Sequence, residues 1–266
     1  MQNDFNQNRY QGVDQDTFSG EYRVQPAAAP GGASAVDNGL VWNTPTVSLN
    51  TYATRTFLWM FLGLLVTFVT AYAFCASGMY VSLYTRFAAL PFVLMIGELV
   101  TVIALSAGIR KMSVGTARAM FFLYAILNGL TFSYIFAMYL TTSVILVFGI
   151  TALYFAVLAA YGWLTKRDLT RLAPILLTGA VILAVFWLLS MFLHFSGAET
   201  VACFVGLAIF MGFTAYDTQK IKSYYAACAG DTVLAAKSTV ICALQLYLDF
   251  INLFLYILRL LGRRSN

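Results

Sequence analysis

Three acidic residues lie inside long apolar stretches of this sequence, where a charged side chain is energetically unfavourable. They are Glu98, Asp217 and Asp249. A carboxylate at the middle of a lipid bilayer costs at least ~2.5–3.5 kcal/mol, so such residues usually face a protein interior or a water path. Hydrogen bonding between helices is the structural alternative. A functional role is favoured, most strongly for the two aspartates.

A stripe of polar residues follows the last apolar stretch at alternating spacings of four and three. Its members are Ser238, Cys242, Gln245, Asp249, Asn252, Tyr256, Arg259 and Arg263. This spacing places them on one face of a helix. Inside a membrane such a face must turn towards other helices or water. We therefore expect a central helix whose Gln245, Asp249 and Asn252 line any ion path, with interhelical hydrogen bonding as the alternative.

Two carboxyl groups in a dry cavity do not easily both ionise, so they would share a proton and respond to pH. Calcium could replace that proton, because it binds carboxylate and carbonyl oxygens in flexible geometry. Asp217 and Asp249 lie on different predicted helices. Their spacing therefore does not tell whether they meet.

Other kinds of site are poorly supported by the sequence. The motifs GxSxG, HExxH, Walker A and the dinucleotide fingerprint are all missing, which predicts neither an enzyme nor a cofactor. An intramembrane aspartyl protease is matched only at Tyr216-Asp217, because Asp249 has no glycine pair. The single histidine, His194, is interpreted as an interfacial residue, and the scattered cysteines predict neither zinc nor a disulfide scaffold. No basic run suited to nucleic acid is present.

The elements that must position these residues are predicted to be membrane-spanning helices. The 266 residues are 61% hydrophobic and 10% charged, whereas soluble domains carry roughly a quarter charged residues. Seven apolar runs of spanning length occur near 56–77, 87–107, 118–140, 143–164, 173–194, 200–220 and 238–260. The predicted fold is an all-α polytopic membrane protein.

The sequence predicts two regions and an orientation. Residues 1–50 are polar and rich in Pro, Gly, Ala and Ser, which predicts a disordered tail before a transmembrane domain over 51–266. With the tail cytoplasmic, ten Lys or Arg residues fall on inside loops and only Arg86 falls outside, as the positive-inside rule favours. Seven crossings would place Arg259, Arg263 and Arg264 outside, so the last segment either re-enters or crosses against the rule.

Several motifs resemble one known family. The segments 213–221 (FTAYDTQKI) and 246–254 (LYLDFINLF) closely resemble the paired signature of the Bax inhibitor family. Segments 165–169 (TKRDL), 128–131 (NGLT) and 96–99 (IGEL) are similar to its inner loop, third helix and second helix. The resemblance covers about 56–262, and the connection at 222–237 appears longer than in shorter members.

The resemblance implies a seven-helix bundle with the C-terminal helix in the centre. It also implies a pH-sensitive calcium leak gated by two aspartates, which correspond here to Asp217 and Asp249. Glu98 matches an acidic position associated with the ion path, and Arg110 corresponds to a basic latch at the inner end of the second helix. Some bacterial members are implicated as partners of a membrane-bound protease.

The resulting hypothesis is a pH-gated calcium leak channel in a bacterial inner membrane. Protonation of the pair would change its pairing with Arg110 and shift the central helix. The alternative is a non-transporting regulator that binds other membrane proteins, for which the tail would be essential and both aspartates dispensable. A third possibility is a proton-coupled transporter of small solutes.

Overall fold

The chain folds almost entirely into helices. The computed structural model describes residues 47–87, 89–190, 193, 197–228 and 230–264. Within these residues the α-helices are α1 (Leu49–Ala76), α2 (Met79–Arg86), α3 (Leu90–Gly108), α4 (Val114–Met138), α5 (Thr141–Leu164), α6 (Ala173–Ser190), α7 (Ala198–Ala227) and α8 (Thr232–Leu261). All but α2 are long and apolar enough to cross a membrane. The predicted all-α fold with seven spans is confirmed.

Capping residues extend several helices beyond their predicted bounds. Ser48 caps α1 by accepting a hydrogen bond from an amide of its first turn, and Asp231 caps α8 in the same way. Helix α7 continues to Ala227 and α8 begins at Thr232, so most of 222–237 is helical; its length relative to shorter family members stays a prediction. The connection comprises only 228–231. The predicted tail lies outside the described residues up to residue 46, and His194 lies outside them too.

The last helix is the centre of the bundle. In its most apolar stretch 72% of the residues are buried, against 11% to 44% in the other six spans. Helices α1, α4, α5 and α7 surround α8, while α3 packs on α4 and α6 packs on α7 at the periphery. The central position predicted for the C-terminal helix is confirmed.

Helix α8 runs from one end of the bundle to the other. Near its start, Lys237 Nζ donates to the Arg110 carbonyl at 3.1 Å, and Tyr225 of α7 donates to the Val47 carbonyl at 3.0 Å. We name this the Ser48 end. Beyond the last turn of α8, the Arg263 carbonyl accepts from the Leu140 amide at 3.0 Å in the α4–α5 connection. This is the opposite end, so α8 crosses the bundle completely.

Candidate functional site

The two aspartates of the predicted pair lie buried where α7 packs on α8. Asp217 is 9% exposed and Asp249 is 3% exposed. The two carboxyl groups lie close enough to interact electrostatically. The sequence left their proximity undecided, and the packing of α7 against α8 places them within electrostatic range of each other.

Small residues allow helices to pack closely around this pair. A Cβ atom at Gly162 of α5 would lie 2.9 Å from the Cα and carbonyl carbon of Ala215, two residues before Asp217. A Cβ atom at Gly206 of α7 would collide with the ring of Tyr256 on α8. Backbones can approach this closely only where side chains are absent. The glycines therefore allow α5 and α8 to pack closely against the part of α7 that precedes Asp217.

The pair has few partners within the protein. Among the described residues neither aspartate makes a side-chain hydrogen bond, and Oδ2 of Asp249 is fully buried without a partner. Lys220 Nζ lies 4.0 Å from Asp217 Oδ1, and it also lies 5.3 Å from the ring centroids of Tyr216 and Tyr224. At 4.0 Å this is an ion pair without a short hydrogen bond. Lys220 is a site residue that the sequence reading missed, although its position three residues after Asp217 was a usable signal.

This arrangement suits an exchangeable positive charge. A buried charge without a partner of opposite sign costs several kcal/mol. One lysine cannot compensate two neighbouring buried carboxylates, so ionisation of both groups is unfavourable. A proton or a cation between Asp217 and Asp249 relieves the repulsion. The described residues contain no group of three or more His, Cys, Asp or Glu side chains. Two carboxylates supply only some of the six to eight oxygens that calcium takes.

The other two residues predicted to line a path stand one turn on either side of Asp249. Gln245 and Asn252 are both half-buried. Asn252 Nδ2 donates to the Leu248 carbonyl of its own helix at 2.8 Å, which leaves its side-chain oxygen free of that bond. The side chain of Gln245 makes no hydrogen bond to any described residue. Both polar groups are thus available beside the pair.

Arg110 is not part of the aspartate pair in this structure. Its carbonyl accepts from Lys237 at the Ser48 end, just beyond α3. Among the described residues the salt bridge of the pair is formed by Lys220. The pairing of Arg110 with the aspartates, which the resemblance implied, is therefore not formed here.

Glu98 belongs to a different polar cluster. Thr131 of α4 donates to its Oε1 at 2.5 Å. The carboxyl group also interacts electrostatically with the tyrosine hydroxyls of Tyr84, Tyr124 and Tyr247. By contrast, the charged groups that act on Asp249 are Asp217 and Lys220. The role of Glu98 in an ion path stays a prediction, and its contacts place it in a cluster of its own.

Tyr247 links this second cluster to the central helix. Its hydroxyl lies 2.6 Å from Thr67 Oγ1 of α1, and the residue is completely buried. The predicted stripe omitted Tyr247, because it lies outside the spacing of four and three. The signal for it was a phenol on the otherwise apolar side of the helix, since a buried tyrosine hydroxyl usually has a partner.

The segment 165–169, which begins the connection between α5 and α6, is hydrogen-bonded to α7 near Asp217. Gln219 Nε2 donates to the Arg167 carbonyl at 2.8 Å, and Gln219 Oε1 accepts from the Leu169 amide at 2.9 Å. Lys222 Nζ donates to the Trp163 carbonyl at 2.5 Å. The segments 165–169 and 213–221, recognised separately in the sequence, therefore form one structural unit.

The fold and the site define a seven-span helical membrane protein with a buried pair of carboxyl groups at its central helix. Residues 49–266 match the family model described as Inhibitor of apoptosis-promoting Bax1. The chain belongs to this family, the Bax inhibitor family, as its motifs had indicated.

Curated relatives align with most of the chain. The inner membrane protein YbhL of Escherichia coli is 38% identical over 222 residues, covering 83% of this chain and 94% of the relative. An uncharacterized protein of Borreliella burgdorferi is 36% identical over 217 residues, covering 82% and 94%. One from Deinococcus radiodurans is 33% identical over 218 residues, covering 82% and 92%.

Proposed function

We propose that this protein is a pH-gated calcium leak channel in which Asp217 and Asp249 form the gate. The observation that carries the proposal is the pair itself: two buried carboxyl groups lie within electrostatic range at the central helix, and Oδ2 of Asp249 has no hydrogen-bond donor among the described residues. A site designed only to fasten two helices would satisfy both groups with donors. The proposed activity requires no covalent step and no cofactor.

The gating step follows from the charge at the α7–α8 contact. When the pair holds a proton, Lys220 balances the remaining negative charge and the two helices stay packed. When the proton leaves, two negative charges face each other, and either repulsion or capture of a cation favours another position of α8. The two positions must differ in proton affinity, because otherwise pH would shift nothing.

The proposed location is a bacterial inner membrane with the N-terminus in the cytoplasm. The name of the similar E. coli protein, an inner membrane protein, supports the membrane. The excess of Lys and Arg on the loops at the Ser48 end supports the orientation. Complete crossing by α8 then leaves Arg263 and Arg264 on the outer side, where the Arg263 carbonyl accepts from the Leu140 amide and the Arg263 amide donates to Ser143 Oγ of α5.

The test is calcium flux through the full-length protein in proteoliposomes, measured between about pH 5 and pH 8. The variants are Asp217→Asn and Asp249→Asn, which keep the side-chain shape and remove the titrating group. Glu199→Gln is the matched control, because it removes an exposed carboxyl group from the first turn of the same helix as Asp217. We expect wild type and Glu199→Gln to share one pH profile and both aspartate variants to lose it.

Three other results would each reject the gate. A pH profile unchanged in both aspartate variants would show that the pair does not gate. A second result is that no flux is measured, that deletion of residues 1–50 abolishes function in cells and that both aspartate variants keep it. This result would favour a regulator that binds other membrane proteins. Proton uptake that depends on an added solute would favour a proton-coupled transporter.

A further inference from the structure

A second polar site lies at the Ser48 end, away from the aspartates. A cavity of about 290 Å³ opens between α1, α4 and the first two turns of α8. Its wall includes Arg55 and Trp59 from α1, Arg118 from α4 and Thr232 from α8. Its volume is close to the lower limit of ordinary small-molecule sites, which begin near about 300 Å³.

The charge of this wall is entirely positive. Two arginines line the cavity, no acidic residue does, and neither arginine forms a salt bridge with any described residue. The nearest acidic residue along α8, Asp231, is the helix cap: its Oδ1 accepts from the amides of Val233 and Leu234. Asp231 is therefore engaged with the backbone and does not line the cavity.

Arg118 is held in place but incompletely satisfied. Its guanidinium carbon lies 4.9 Å from the ring centroid of Trp59, so the two groups form a cation–π contact. Its Nε is buried and has no hydrogen-bond partner among the described residues. A buried N–H group of this kind normally has an acceptor. The guanidinium group thus packs against an aromatic ring, and its buried Nε–H lacks an acceptor among the described residues.

We propose that this cavity binds a phosphate group, with the guanidinium groups of Arg55 and Arg118 as its donors. Guanidinium groups match phosphate oxygens with paired, charge-assisted hydrogen bonds. Thr232 adds a hydroxyl group on the third wall. A bound phosphate would join α1, α4 and the start of α8. The proposal does not depend on calcium transport.

The position of the arginines favours a lipid headgroup as the source of the phosphate. Helix α1 has 28 residues, a length of about 42 Å, whereas the hydrocarbon core of a bilayer measures about 30 Å. Arg55 and Arg118 lie six and four residues after the first residues of their helices, which is about 9 Å and 6 Å along the axes. They therefore lie near the headgroup level. Basic pockets between spans on the cytoplasmic side are typical sites for anionic headgroups.

The test uses full-length protein in detergent and two probes. Phosphatidylglycerol is titrated and the bound lipid is counted by native mass spectrometry, and inorganic phosphate is titrated separately by calorimetry. The variant is Arg55→Gln with Arg118→Gln. The control is Lys166→Gln with Arg171→Gln, which removes two exposed positive charges from the same end outside the cavity. We expect roughly tenfold weaker binding in the cavity variant and little change in the control.

Binding of the lipid alone identifies a headgroup as the source, and binding of inorganic phosphate with similar affinity identifies a soluble phosphate. The proposal is overturned when neither probe binds the wild type, when the cavity variant binds both probes normally, or when the control weakens binding equally. If the double variant does not fold, Arg55→Gln alone decides between these outcomes, because Arg55 is exposed and forms no salt bridge with the described residues.

Discussion

Replacing Gly162 by alanine should separate α5 from α7 next to the aspartate pair. The new Cβ would lie 2.9 Å from the Cα and carbonyl carbon of Ala215 and nearer still to its carbonyl oxygen. These are backbone atoms, so no side chain can rotate away. Carbon atoms pack favourably at about 3.5–4.0 Å, so the two helices must move apart by roughly 1 Å.

The expected cost is a loss of about 1–3 kcal/mol in the free energy of unfolding, the usual range for an added methyl group in a tight core. Gly149→Ala is the matched control, because it lies on the same helix and no atom lies within 4 Å of its new Cβ. That control should be neutral or slightly stabilising, since alanine favours a helix over glycine by up to about 1 kcal/mol.

Unfolding in mixed detergent micelles, followed by circular dichroism, measures both variants under one condition. We expect Gly162→Ala to unfold at a lower fraction of denaturing detergent than the wild type. We expect Gly149→Ala to unfold at the same fraction or at a higher one. Equal stability of the two variants would refute the close contact between α5 and α7. Because Ala215 lies two residues before Asp217, the pH profile of calcium flux should also change in Gly162→Ala only.

Two further predictions concern polar contacts outside the pair. Tyr247→Phe removes the hydroxyl group that is hydrogen-bonded to Thr67 and should lower the free energy of unfolding by about 0.5–1.5 kcal/mol. The control Tyr72→Phe changes an exposed tyrosine and should leave the free energy of unfolding unchanged. Equal effects of the two substitutions would contradict the hydrogen bond. Hydrogen bonds from the side chain and amide of Thr170 lower the pKa of the exposed Asp168 below its usual 3.8. A lowered pKa stabilises the folded connection above pH 3.8 and this contribution is lost as pH falls further. At neutral pH the Thr170 amide should therefore be better protected from hydrogen exchange in the wild type than in Asp168→Asn. In acid the two proteins should show similar protection. A difference that does not change with pH would contradict this prediction.

Hydropathy predicted the seven spans in order, because each must supply about 20 apolar residues to cross a bilayer. It placed the ends of α7 and α8 wrongly, since helices continue into water wherever a cap such as Asp231 is available. The short helix α2 was missed because its 8 residues are too few and too polar to form a span. Its Tyr84 ring stacks on Tyr134 at 6.0 Å, a tertiary contact that no local pattern contains.

The sequence likewise predicted which residues belong to polar sites but not which of them lie close together. The cost of burying a carboxyl group identified Asp217, Asp249 and Glu98 without any knowledge of their contacts. Which of them meet depends on how α3, α7 and α8 pack, and the structure joins the aspartates while it gives Glu98 partners on α4. Lys220 was counted with the basic loops although it lies one turn from Asp217. A lysine three residues after an aspartate can pair with it on a membrane-spanning helix as it does on a soluble one.

The measurement that tests the central claim most directly is infrared spectroscopy of protonated carboxyl groups in the reconstituted protein during a pH titration. The shared proton predicts a carboxyl band that disappears over the same pH interval in which calcium flux changes. The band should be lost in Asp249→Asn, altered in Asp217→Asn and unaffected in Glu199→Gln. A band that persists unchanged in both aspartate variants, or that titrates outside the interval of the flux, would contradict the account.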